Sequence, residues 1–484
     1  MGIKVGNEED KQISSFTENQ LNAYNELIKF INAPYEENDY KRALVGFPGT
    51  GKTYLVNSII RNCNQAYSTI GLAAPTHKAG RILKENISIS NIKVNTLASD
   101  LGLKINYEST RFDINNPPFD PKGRIKIGDY KLYIVDEASM IPAGLCKLLE
   151  KIAKSNQCKI IYIGDENQLP PPGEKYSSAF YGTKTYKLSK IVRQDEDNPI
   201  VYLLSLIRYD IVHRTHRFIE EISKNAFRFD ENNTKGYAVC NDIKFNELIT
   251  RNFSDEELTR NTNYCKILAY TNDCISNYNK LVRSVIIKDA EKSALTSNDL
   301  IASYITIVNQ FNDVVLVNSE EYIVKEIVNY THPKYKLKGF MVKFQAIYGG
   351  KISTPLFVVD HLDNFSVLRY YQLCNEMINA AKNAANNVKA TLWKEYFKFK
   401  EGCLLLTDIK TSTKTISFSR NLDYGFAYTI HKSQGSTFDT VFVNLDDILY
   451  DSFGRARTDI TLINKLIYVA CSRAKNKLYI KFTR

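Results

Sequence analysis

The stretch Gly46-Phe47-Pro48-Gly49-Thr50-Gly51-Lys52-Thr53 fits the pattern G-x-x-x-x-G-K-[ST], the phosphate-binding P-loop. Its residue types suit a polyanion. Gly46, Gly49 and Gly51 let the backbone bend tightly and turn N–H groups toward a phosphate. A helix N-terminus behind the loop adds partial positive charge. Lys52 is placed to reach the β- and γ-phosphates of ATP, and Thr53 to hold Mg²⁺. A plain glycine turn is the alternative, and it leaves the Lys-Thr pair unexplained. A second cluster is Asp136-Glu137, two acids that end the apolar run 131–135. Packing does not explain them, because carboxylates are rarely buried unpaired. Near a P-loop the first acid can hold Mg²⁺ and the second can orient the attacking water. The run 159–163 repeats the design and ends in Gly164-Asp165-Glu166-Asn167-Gln168. Gln168 then sits at the same rim, where a glutamine can sense the γ-phosphate or the water.

These groups need a parallel sheet to bring them to one edge. Ala43-Leu44-Val45 reads as the end of a buried strand before the loop, and residues 54–60 as the helix after it. Upstream, Thr17 and Gln20 have capping-box spacing ahead of a helix over 21–31. Gln20 therefore reads as a cap residue or as a contact to adenine. Residues 70–74 form a second strand, stopped by Pro75. That leaves Thr76 and His77 at its carboxyl end, where α/β sheets place ligands. Residues 94–99 read as a loop into a short helix. Residues 103–129 break the rhythm with Pro117, Pro118, Pro121 and Phe119, as a small β-hairpin excursion or a surface loop.

Residues 199–260 read as mostly helical, and 266–273 as another strand ending in a polar cluster. Between 300 and 415 the texture turns to short β runs, a small barrel or sheet inserted in a second α/β unit. The basic helical stretch 375–400, with Trp393, Tyr396 and Phe397, reads as a nucleic-acid face or as a solvated face over a packed stripe. The α/β texture returns at 425–437 and runs to the end.

Composition sets the class. The 484 residues are enough for about three domains. Apolar content of 44% with 24% charged residues is globular, not disordered. A net charge of +11 and a pI near 8.9 favour a polyanionic partner. The nine cysteines are scattered, with no C-x-x-C pair, which argues against a disulfide framework and a zinc site. A reducing, cytoplasmic home is expected. No apolar run of about 18 residues and no signal peptide are present, so no membrane span is expected.

In their order along the chain, these motifs resemble those of the superfamily 1 helicases, in the RecD and phage Dda-like branch. Residues 16–20 resemble the adenine-reading Q motif, and Gly46 to Thr53 motif I. Pro75-Thr76-His77 resembles motif Ia, and Thr96 lies in motif Ib, both implied to lie under the DNA strand. Asp136-Glu137 resembles motif II, and Gly164 to Gln168 motif III. Arg193, by its residue type alone a surface arginine, falls where the family keeps a γ-phosphate arginine. Tyr270-Thr271-Asn272 resembles a DNA-contacting motif. His431 to Thr437 resembles motif V, with His431 and Ser433 assigned to DNA and Gly435 to the nucleotide. Arg473 resembles the motif VI arginine finger.

The resemblance implies an α/β fold of two RecA-like P-loop domains in tandem, with ATP between them. It further implies a β-hairpin insertion in the first domain and an SH3-like insertion in the second. The expected division is 1–102 with 130–197 for the first RecA-like domain and 103–129 for the hairpin. It continues with 198–299 and 416–484 for the second RecA-like domain and 300–415 for its insertion. Phe119, near the proline-rich tip, is the expected wedge. The implied activity is an ATP- and Mg²⁺-dependent DNA helicase, moving 5′ to 3′ on single-stranded DNA as a monomer at single-strand/duplex junctions. It would serve replication or recombination, alone or with proteins of those processes, in the cytoplasm of a cell or of a phage host. A translocase that does not unwind and a slow P-loop switch are the competing readings. A small-molecule kinase would need a second-substrate pocket, and none is readable.

Overall fold

The computed structural model describes residues 15–87, 89, 92–105, 119–190, 198–308, 314–409 and 418–483. The chain forms two compact units. One comprises Met1–Leu103, Pro121–Cys240 and Ser433–Arg484; the other comprises Lys104–Asp120 and Asn241–Lys432. Residues 198–240 and 433–484 are in the first of these units, with the P-loop.

The first unit is built on helix α1 (Glu18–Asn32), strand β1 (Lys41–Gly46), helix α2 (Lys52–Asn62), strand β2 (Ile70–Ala74), helix α3 (His77–Asn86) and strands β3 (Val94–Thr96), β4 (Leu132–Val135), β5 (Lys159–Gly164) and β6 (Lys184–Leu188). The six strands are all parallel, in the order β3-β2-β4-β5-β1-β6. Parallel sheets are covered on both faces, so their strands are apolar throughout. Here β2, β4 and β5 are buried along their whole length. Alternate residues serve opposite faces. Leu44, Leu72, Ile134 and Ile161 pack with Leu27, Leu55 and Ile59. Ala43, Ala73, Tyr133 and Ile160 pack on the other side with Leu149 and Ala153. The loops that follow β1, β2, β3, β4 and β5 consequently share one carboxyl edge.

The same unit holds a second set of parallel strands, Gly236–Cys240, Ala474–Lys481 and Phe438–Asn444, with Phe227–Phe229 antiparallel beside Gly236–Cys240. The sequence reading of 199–260 as mostly helical missed the strands at 227–240. They are short, and the parallel partner of Tyr237 is Leu478, far away in the chain. Two helices flank them, α4 (Pro199–His213) and α5 (Ile460–Cys471).

In the second unit, Cys265–Ala269 pairs in parallel with Ala427–Thr429. A five-stranded antiparallel sheet runs Leu356–Val359, Lys338–Ala346, Glu321–Thr331, Leu300–Ser303, Leu422–Tyr424. The basic stretch 375–400 is two helices, Asn364–Asn383 and Asn386–Gly402. Trp393, Tyr396 and Phe399 are buried with Tyr370 and Phe418, so the aromatic residues form a packed stripe. Lys104–Ile105 and Phe119–Asp120 make a two-residue antiparallel ladder. No described helix is long and apolar enough to cross a membrane.

This unit encloses a charged pair. Lys266 Nζ lies 2.8 Å from Glu321 Oε1, with both side chains almost fully buried. Lys266 also donates to the Gly425 carbonyl at 2.6 Å, and the Tyr428 hydroxyl donates to Glu321. Removing one member of such a pair leaves a buried charge uncompensated. Lys266→Met should therefore cost about 3–5 kcal/mol of stability. The double variant Lys266→Met/Glu321→Leu should cost clearly less. Urea unfolding followed by circular dichroism reads both, and equal losses would contradict the ion-pair account.

Candidate nucleotide site

The nucleotide loop begins where β1 ends. Gly49 and Gly51 have φ of 82° and 80°, a backbone region that L side chains rarely adopt. A Cβ at Gly51 would also lie 2.6 Å from Gln20 Nε2. That contact reflects a latch. Gln20 Oε1 accepts from the Thr17 N–H at 2.8 Å, closing the capping box of α1, while Nε2 donates to the Thr50 carbonyl at 2.9 Å. Gln20 is thus a helix cap and a brace on the loop at once. Thr50 Oγ1 donates to the Phe47 carbonyl at 2.8 Å, and Lys52 Nζ donates to Gly46 O at 2.6 Å and Phe47 O at 3.1 Å. Pro48, half-buried, lies in the turn between Phe47 and Gly49. Gly51→Ala should lower the melting temperature and weaken nucleotide binding, since it adds left-handed strain of about 1–2 kcal/mol to the clash with Gln20. Thermal melts with and without nucleotide read this, and a variant that binds normally would contradict the brace.

Asp136 and Glu137 follow β4 on the same edge. Glu137 has φ 49°, a left-handed non-glycine residue, and such backbone strain concentrates at functional sites. Loss of solvent raises the Asp136 carboxyl, and the Lys52 charge opposes this. Glu137 is pushed up to about 7, first by loss of solvent and then by the neighbouring Asp136, with Arg473 and Lys52 pulling the other way. Lys52, Asp136, Glu137 and Arg473 therefore share one electrostatic site.

Motif III lies after β5. Asp165 is buried and accepts from the Tyr468 hydroxyl at 2.7 Å. Gln168 is buried as well, and its Oε1 has no hydrogen-bond partner among the described residues. Buried polar atoms are nearly always paired, so this oxygen points to a group that binds there. Arg473 follows α5 and is 4% exposed. It donates to Val469 O at 3.1 Å, Ser436 O at 3.0 Å and Ser472 Oγ at 2.8 Å. Among the described residues no carboxylate comes within 4 Å of it. Gly435, φ 73°, brings the neighbouring turn close: a Cβ there would lie 3.8 Å from Glu137 Oε1.

Thr76 caps α3 by accepting from the Ala79 N–H at 3.2 Å, and Thr96 caps the short helix Leu97–Asp100 in the same way. Ala74 stands opposite Thr96 in the β2/β3 ladder, so Pro75, Thr76, His77 and Thr96 share one rim. In the second unit, Thr271 caps the helix Asn272–Ile286, and Arg420 donates to Asn272 Oδ1 at 3.4 Å. The Tyr270 and His431 rings are 6.2 Å apart, past the ends of two paired strands, and burial lowers the His431 pKa. Ser433 is fully buried and Phe119 is 54% exposed. Arg193 lies outside the described residues. Tyr468 was not anticipated; the only sequence signal for it is an apolar run with a single hydroxyl.

Two family models match. An AAA domain covers residues 25–220 and a UvrD-like helicase C-terminal domain covers 424–480. The second match coincides with the turn and helix that carry Gly435 and Arg473. The chain belongs to the superfamily 1 helicases, of the RecD type. As a member of that family it is a helicase-type ATPase. This helicase is 25% identical to the uncharacterized protein R530 of Acanthamoeba polyphaga mimivirus, over 96% of this chain and 98% of that one. It is 24% identical to the RecBCD enzyme subunit RecD of Buchnera aphidicola subsp. Schizaphis graminum, over 87% of this chain and 70% of that one. A crystal structure of Pif1 helicase from Candida albicans covers 97% of this helicase and 94% of that chain, at 17% identity and a TM-score of 0.47.

Proposed function

We propose that this helicase is an ATP-dependent motor that moves 5′ to 3′ on single-stranded DNA and opens duplex DNA at junctions. The observation that carries the reading is Arg473: a buried guanidinium without a carboxylate partner among the described residues, sharing the electrostatic site of Glu137 and Lys52. A buried charge without a partner is costly, and a terminal phosphate would compensate it.

Under this reading Gly46, Pro48, Gly49, Thr50, Gly51 and Lys52 cradle the phosphates, with Gln20 toward the base and Gly435 at the far side. Thr53 and Asp136 would hold Mg²⁺, which neutralises charge developing on the phosphates. Glu137 takes the proton of the attacking water, a task suited to a carboxyl near 7. Gln168 positions that water, and Arg193 and Arg473 meet the γ-phosphate. Glu137→Gln should lower turnover by about 10²–10⁴-fold with ATP binding kept. Isotherms with a fluorescent nucleotide beside steady-state rates test this, and full turnover would remove Glu137 from the chemistry.

On the DNA side, Pro75, Thr76, His77 and Thr96 form one contact rim, with Asn272, His431 and Ser433 as further contacts and Phe119 as the wedge. Grip on the backbone is sequence-blind and salt-sensitive. The domain division given by the resemblance, a monomeric state, a cytoplasmic location and a role in replication or recombination belong to the same proposal. The last is supported by the RecD relative, which is named as a subunit of the RecBCD enzyme. Polarity rests on the family resemblance. The test is strand displacement on duplexes with a 5′ or a 3′ single-stranded tail. Displacement of the 5′-tailed substrate alone is expected. Displacement of only the 3′-tailed one would reverse the polarity, and none on either would leave a translocase.

A further inference from the structure

We propose that Arg208 is a third arginine for the terminal phosphate, held over the P-loop by the ring of Phe47. Its guanidinium carbon lies 4.2 Å from the centre of that ring. Phe47 is the second residue of the loop, and its carbonyl, 3.1 Å from Lys52 Nζ, is where the amine that reaches the β- and γ-phosphates comes to rest. Gln20 braces the opposite end of the loop, at Thr50. Arg208 therefore stands at the γ-phosphate end, not the adenosine end. A second observation agrees: Arg208 also acts electrostatically on Tyr468, whose hydroxyl holds Asp165 of the same cluster.

The helix that carries Arg208 is firmly anchored. Asn198 caps α4 by accepting from the Ile200 N–H at 3.0 Å, and Leu203, Leu204 and Ile207 are buried. Asp210, two residues beyond Arg208, accepts from the Arg217 and Phe218 N–H groups at 3.0 and 2.9 Å. Its carbonyl accepts from Asn464 on α5 at 3.0 Å. The helix leading to Arg473 and the helix bearing Arg208 are thus tied together. Arg208 is half-buried, and among the described residues it makes no ion pair. An arginine stacked on an aromatic ring keeps its in-plane N–H groups free for an anion.

The structural alternative is that Arg208 only clamps the loop through Phe47. The two roles differ in what they do to ADP, which lacks the γ-phosphate. Binding of a fluorescent non-hydrolysable ATP analogue and of the matching ADP is measured for wild type, Arg208→Ala and Arg208→Lys. Loss of a charge-assisted contact should weaken the ATP analogue by about 10- to 100-fold in Arg208→Ala. ADP should change by no more than about 2- to 3-fold, within the scatter of an indirect effect. Arg208→Lys, which keeps charge but loses the planar fork, should fall between. Equal weakening of both nucleotides would assign Arg208 to loop packing and overturn the proposal, as would no change in either. The proposal rests on the P-loop being an ATP site. Wild type that binds neither nucleotide would overturn that reading, whereas wild-type binding with unaltered variants would overturn the Arg208 assignment alone.

Discussion

Replacing Lys52 with alanine should reduce ATP hydrolysis by about 10³-fold or more and leave single-stranded DNA binding close to wild type. Lys52 is the cation at the centre of the loop, bonded to Gly46 O and Phe47 O and acting electrostatically on both Asp136 and Glu137. Its removal takes away the charge that meets the phosphates. It also lets both carboxyl groups rise further, which takes the base out of its working form. The proposed DNA contacts Pro75–His77 and Thr96 stand on other loops of the sheet, with Thr76 and Thr96 held as caps by the Ala79 and Ser99 N–H groups. Phosphate release assays paired with fluorescence anisotropy on an oligonucleotide check the two halves separately. Retained hydrolysis would remove the P-loop from the mechanism. Lost DNA binding would show that the loop also shapes the DNA rim.

Arg473→Ala should lower turnover by about 10³–10⁵-fold, the range for an arginine that meets transition-state charge. The side chain also spans Val469, Ser472 and Ser436, so part of any loss can come from the turn that carries Gly435. Arg473→Lys separates the contributions. It keeps a charge and some of the backbone bonds, but not the bidentate fork. If it melts near wild type and still turns over at least about 10²-fold more slowly, the guanidinium acts on the chemistry and not only on the fold. If both variants hydrolyse ATP normally, Arg473 is a structural residue.

Much of the first sheet was legible because its signals are local. Parallel strands buried on both faces show as apolar runs, and each of 43–45, 70–74, 131–135 and 159–163 lies at or within one residue of its observed strand. The carboxyl-edge groups could be read off the ends of those runs. The capping box at Thr17 and Gln20 was equally local, but the second hydrogen bond of Gln20, to Thr50, was not, because it links residues 30 apart. Long-range pairing hid the strand at 236–240, whose parallel partner comes more than 230 residues later. It also hid Tyr468, which matters only because Asp165 stands against it. For the same reason the basic-aromatic helix stayed ambiguous: Trp393 and Tyr396 look alike in sequence whether they face solvent or Tyr370. Arg208 carries no motif at all, and only its stacking on Phe47 sets it apart.

The most direct test of the motor account is the rate of ATP hydrolysis with and without single-stranded DNA, in wild type and in Lys52→Ala. The account predicts a rise of about 10-fold or more on adding DNA to wild type, steeply reduced by salt, and no response in the variant. Turnover that is the same with and without DNA would contradict it.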